Sequence, residues 1–200
     1  MFRNHAAALS DIKEQLDAAD EAEFLALTDD LIESDFTLIG QLIQTYCYAD
    51  VNARRVIDNV RGAAGERQNG SLLNDKDTLT HLRTVAERLP PSDVKDGLLL
   101  AVGTIEMHRE HRHHFAHWAV RRTRGHDAFI FFTKNAREAT KRDGRDLAAD
   151  ELKYGLVALA PLREELVKLI GHSKYVAEAA AYLEGQTGTL RAYFEAQASS

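Results

Sequence analysis

Apolar residues recur at helical spacing through most of the chain, and the polar residues between them mark where each helix should start and stop. Leu9, Ile12 and Leu16, then Phe24, Leu27, Leu31 and Ile32, predict a helical segment over residues 5–33. Ser34 is the candidate N-cap of a long helix running to about Arg61, with Phe36, Ile39, Ile43, Tyr46, Cys47, Ala53, Ile57 and Val60 as its apolar positions. Gly62 and Gly65 end it, and the stretch from Gly65 to Gly70 reads as a loop. A shorter helix from about Asp77 carries Leu79, Leu82, Val85 and Leu89 and stops at Pro90-Pro91. Ser92 caps a further helix that starts Asp93-Val94-Lys95 and runs into His117.

Beyond His117 the period changes. Trp118–Arg122 and Ala128–Phe132 flank the turn-like spacer Thr123-Arg124-Gly125-His126-Asp127, and Phe129-Ile130-Phe131-Phe132 is aromatic and β-branched, which predicts a β-hairpin. Asn135–Lys141 reads as a short basic helix ended at Asp143-Gly144, while Tyr154–Leu159 fits either strand or helix. Pro161 suits the first turn of a last long helix carrying Leu162, Leu166, Leu169, Val176, Ala180 and Leu183, with Gly185 and Gly188 at its end. The expected fold is mainly α: a bundle of about five helices with a small β-hairpin insertion after the helix that ends at His117. Residues 1–33 form an acidic helical N-terminal extension, 34–185 the helical domain, and 186–200 a tail that is a short terminal helix or frayed.

Composition narrows the function classes. Hydrophobic residues make up 44% of the 200 positions and charged residues 28%, the balance of an ordinary globular chain. No apolar run approaches the roughly 20 residues of a membrane span, so no membrane role is expected. The first residues show no apolar stretch of an export signal. The single cysteine, Cys47, excludes an internal disulfide and a cysteine-based zinc ribbon and places the chain in a reducing cytoplasm. It sits on the apolar side of its helix, as a core residue does. The net charge of −6 opposes general nucleic-acid binding, but residues 1–35 hold ten acids against two bases, whereas 108–145 hold ten Lys or Arg against four acids. A basic middle behind an acidic front can bind a polyanion locally.

That middle contains the densest chemistry, the run His108-Arg109-Glu110-His111-Arg112-His113-His114-Phe115-Ala116-His117. At about 100° per residue, Leu98, Val102, Ile105 and Ala116 share a core-facing stripe with Arg109 in its middle. Arg112 and His113 fall on either side of it and Glu106 and His117 at one margin, while His108, His111, Phe115 and Trp118 point elsewhere. Surplus cations on such a face need a partner, a solvated cleft or an interface, and a cleft of this kind suits a phosphate. The competing reading is a solvated helix C-terminus, where cations meet the negative end of the dipole. His113 and His117 at i,i+4, and Glu110 three residues before His113, also resemble half of a metal site. No second Glu-x-x-His exists and arginines oppose a cation, so neither metal nor other cofactor is expected. No GxSxG, phosphate-binding loop or GxGxxG is present. Trp118, Phe129, Phe131 and Phe132 could stack bases, but packing of the hairpin against the bundle is the simpler use.

Arg112, four intervening residues and His117, with the polar His113 directly after the arginine, resemble the signature of HEPN domains (higher eukaryotes and prokaryotes nucleotide-binding). The order of a long early helix, a motif helix, a variable insertion and a last long helix is similar too, and spans most of the chain. Arg109 and His114 form a second pair with the same four-residue gap, three residues before Arg112 and His117. The resemblance implies a metal-independent ribonuclease or RNA-binding protein, often a toxin or defence component. His117 would be general acid or base, Arg112 would hold the phosphate, and His113 would orient either one. Arg109, Arg121, Arg122 and Arg124 would grip the RNA backbone. A homodimer is implied, with an antitoxin or nucleotidyltransferase as a further partner. A non-catalytic helical adaptor or oligomerisation protein is the alternative.

Overall fold

The computed structural model describes residues 9–135, 137 and 152–199, and the chain is mainly α. The described helices are α1 (Ser10–Ala18), α2 (Glu21–Ala26), α3 (Glu33–Ala63), α4 (Asp75–Arg88), α5 (Asp93–His117), α6 (Leu159–Gly185) and α7 (Thr187–Ala198). Four strands accompany them: β1 (Thr28–Asp29), β2 (Ala119–Thr123), β3 (Ala128–Thr133) and β4 (Lys153–Ala158). The hairpin expected after the histidine-rich helix is β2–β3, and the ambiguous Tyr154 segment is a strand. The basic helix expected over Asn135–Lys141 falls largely outside the described residues.

Local chemistry explains the boundaries. The helical period over 5–33 is broken after Ala18, because Asp20 accepts the Glu23 N–H at 2.9 Å while Glu23 accepts the Asp20 N–H at 3.1 Å. This reciprocal capping box starts a new helix with its own axis. The cap of α3 also differs from expectation. Ser34 lies inside the first turn, and Asp35 reaches back to accept the Ile32 N–H at 2.9 Å. At the other end Gly65 takes the left-handed conformation (φ 72°) and the Glu66 N–H bonds to the Arg61 carbonyl at 2.8 Å, closing the helix as a Schellman motif. Ser92 caps α5 as expected, accepting the Lys95 N–H at 3.3 Å.

The chain divides into two compact units, residues 1–41 with 112–166 and residues 42–111 with 167–200. The second is helical. Its core holds Val56, Ile57 and Val60 of α3, Leu82 and Val85 of α4, Leu98, Val102 and Ile105 of α5, and Leu169, Val176 and Leu183 of α6. The loop after α3 is stapled down by Arg54, which donates to the carbonyls of Gly70 (2.9 Å) and Leu73 (2.6 Å) and pairs with Asp50. Asp58 accepts the Gly70 N–H at 2.8 Å.

The first unit is built on the sheet, ordered β1-β2-β3-β4 and antiparallel throughout. Directly opposed residues share a face. Phe132 opposes Tyr154 and Ile130 opposes Leu156, and this face packs on Ile12, Leu16 and Phe24 of α1 and α2. Phe24 meets the rings of Phe132 and Tyr154 edge-on at 5.4 and 5.6 Å. The Tyr154 hydroxyl donates to Asp17. Hydrogen bonds from Lys13 and Tyr154 hold the Asp17 carboxyl below its ordinary range, and burial followed by the hydrogen bond to Asp17 raises the Tyr154 phenol. On the opposite face Phe131 opposes Gly155, where a Cβ would run into the Phe131 ring. That ring packs instead on the last turn of α5.

Candidate functional site

The end of α5 is turned differently from the stripe drawn at constant angle. Phe115 and Trp118, expected to point away, are buried, as is His108, whereas Ala116 is exposed. Ala101, His108 and Phe115 are seven residues apart, and a seven-residue row drifts by about 20° per heptad around a straight helix. Over two heptads the buried row moves off Ala116 and onto Phe115. Arg109, Arg112 and His113 are half-buried, and His117 is exposed.

Within the first unit the aromatic β3 side chains set this turn. His114 lies flat on Phe131 (ring centroids 4.4 Å, interplanar angle 15°) and meets Trp118 edge-on at 4.5 Å. Phe115 contacts the rings of Phe129 (5.8 Å) and Phe131 (6.3 Å). With His114 and Phe115 held inward, the same turn carries His113 and His117 side by side, their rings 4.7 Å apart. The structure therefore brings together two of the three expected catalytic side chains, with Arg112 one residue before His113. Two imidazoles side by side can give and take protons at a bound group, and a guanidinium can bind a phosphate oxygen. Arg109 belongs to the second unit. Among the described residues no three His, Cys, Asp or Glu side chains are grouped as metal ligands, and no helix is long and apolar enough to cross a membrane.

The other expected phosphate-binding residues are not one patch. Arg122 opposes Phe129 in the ladder and Arg121 opposes Ile130, so the two arginines leave β2 on opposite faces. Each has an acidic partner from the N-terminal segment. Arg122 pairs at 3.3 Å with Asp35, whose side chain is 0% exposed, and at 3.1 Å with Asp127, which also faces Arg163. Arg121 pairs with Asp30 at 3.0 Å, and Arg124 with Asp29 at 3.0 Å. Asp30 is 89% exposed and Asp29 half-exposed, so these two pairs are solvated and each contributes less than about 1 kcal/mol. The Asp35–Arg122 pair is of another kind, because separating it leaves a charge buried. Asp29, Asp30 and Asp35 were not singled out from the sequence. The signal was there in the excess of acids over residues 1–35 facing an excess of bases over 108–145.

No family model matches the chain, and no curated protein or solved structure matches it.

Proposed function

We propose that the chain is a HEPN-like RNA-binding protein that cleaves RNA without a metal at the end of α5. The observation that carries this reading is the pairing of His113 and His117, rings 4.7 Å apart, on the turn that directly follows Arg112 at the motif spacing. In the reaction the 2′-oxygen attacks phosphorus, the bond to the 5′-oxygen breaks, and a cyclic phosphate forms. His117 takes the 2′-hydroxyl proton or returns one to the departing oxygen. Arg112 holds the phosphate and the charge that develops on it. His113 keeps His117 in its working orientation. A second copy of the chain completes the groove, and an antitoxin or a nucleotidyltransferase would restrain the activity in a cytoplasmic toxin or defence system.

The test is cleavage of varied RNAs by purified protein. Arg112→Ala and His117→Ala should each lower the rate by about a hundredfold or more while thermal unfolding stays as in the wild type. Wild-type protein that leaves every RNA intact rules out the enzymatic reading.

A second reading, a helical adaptor, draws support from exposed apolar side chains in the second unit: Leu100 and Met107 on α5, Val167 and Ile170 on α6. Removing residues 1–33 is a poor test of it, since Ile12, Leu16 and Phe24 are core. Leu100→Asp with Val167→Asp should abolish self-association or partner capture if the adaptor reading holds, and leave RNA cleavage as the surviving function if it does not.

A further inference from the structure

Arg121 lies within β2 and Arg124 directly follows its last residue, Thr123, and each presents its guanidinium to one exposed carboxylate of the segment Asp29-Asp30. The Arg124 Nε and Nη2 both reach Asp29 Oδ1, at 3.1 and 3.0 Å. The Arg121 Nη2 reaches Asp30 Oδ1 at 3.0 Å. A guanidinium binds carboxylate and phosphate oxygens by the same planar donors, so a carboxylate in that position imitates a phosphodiester. The backbone beneath is fixed independently of the two carboxylates, and the Arg124 Nη2 itself donates to the Thr28 carbonyl at 3.4 Å. The Arg124 N–H bonds to the Leu27 carbonyl at 2.8 Å, and Thr28 pairs with Thr123, both threonines being buried. The carboxylates can therefore swing away without β1 leaving the sheet. Arg122 is excluded from this exchange by the buried Asp35.

We propose that Asp29 and Asp30 are an internal stand-in for a polyanion: the phosphodiester backbone of a single strand docks on Arg121 and Arg124 by replacing these two carboxylates. The inference rests on the RNA-binding reading and adds a restraint to it. The acidic front of the chain lowers affinity until a strand with enough phosphates arrives. Arg121 and Arg124 lie toward opposite faces of the sheet, so the docked strand runs over its edge beside β1.

The experiment compares full-length wild type, Asp29→Asn/Asp30→Asn, and a charge-matched control, Asp11→Asn/Glu14→Gln, for binding of a labelled oligouridylate. Arg121→Gln/Arg124→Gln is tested alone and combined with Asp29→Asn/Asp30→Asn. The Asp29/Asp30 variant should bind about threefold tighter or more at roughly 50 mM salt, with the gain shrinking toward about 200 mM. The control should gain less, and the gain should vanish when Arg121 and Arg124 are also replaced. Oligothymidylate should respond in parallel, since the backbone alone is read. Equal tightening in the Asp29/Asp30 variant and the control overturns the proposal while leaving RNA binding intact. Absence of binding by every variant overturns both the proposal and the reading beneath it.

Discussion

The second unit closes over aliphatic side chains and uses its buried arginine as a staple, whereas the first places its arginines around a small sheet and balances them with acids from distant sequence. Arg54 is mostly buried, and it donates to two loop carbonyls and to both oxygens of the Asp50 carboxylate, all within its own unit. Such an arginine is spent on structure. Arg121 and Arg124 each pair with one solvated carboxylate, Arg124 also touching the Thr28 carbonyl, and such a carboxylate is easily traded for another anion. The chemistry worth testing therefore sits in the unit with less aliphatic core, where polar groups keep the freedom to change partners.

The sharpest probe of that contrast is a cavity. Leu82→Ala, fully buried in the second unit, should cost about 3 kcal/mol in chemical denaturation. Asp35→Ala in the first unit should come next, at about 2 kcal/mol, because it removes a helix-start acceptor and leaves Arg122 with Asp127 alone. A loss as small as that from replacing a solvated carboxylate would erase the distinction between Arg122 and its neighbours.

The smallest effect is read by pH. The lowered Asp17 carboxyl contributes stability that is complete above the ordinary carboxylate range and is lost as pH falls through its folded value. The raised Tyr154 phenol contributes below its ordinary value of 10 and loses this as pH rises through the folded one. A spectrophotometric titration should show Tyr154, with Tyr175, ionising after the exposed tyrosines, and Tyr154→Phe should remove one group from that late step. Ionisation of Tyr154 together with the exposed tyrosines would mean its bond to Asp17 does not protect it.

Helices with strong periodicity were legible because a single face is buried over many turns: α3, α4, α5 and α6 all stand close to where the apolar spacing puts them. So was the hairpin, through the aromatic run of β3. The break at Ala19 was written in Asp20 and Glu23, but the apolar spacing runs on across it and masks the cap. The partnership of β1 with β2 was not legible, since a two-residue strand has no period of its own and its neighbour is far along the chain. At the candidate site the spacing of Arg112, His113 and His117 was readable as a motif. Which of the histidines the core would claim depended on Phe131 and on the gradual rotation of a seven-residue row, and neither is visible from residue types on α5.

Because neighbouring residues leave a strand on opposite sides, β2 keeps an anchored arginine and an exchangeable one a single peptide bond apart. Evolution can alter either side chain separately, but it cannot change the strand's length so freely. Gaining or losing one codon ahead of Arg121 would deliver the wrong arginine to Asp35 and the wrong one to solvent. Drift in this region should accordingly accumulate as replacements in β2 and as length changes only in the Gly125 turn beyond it.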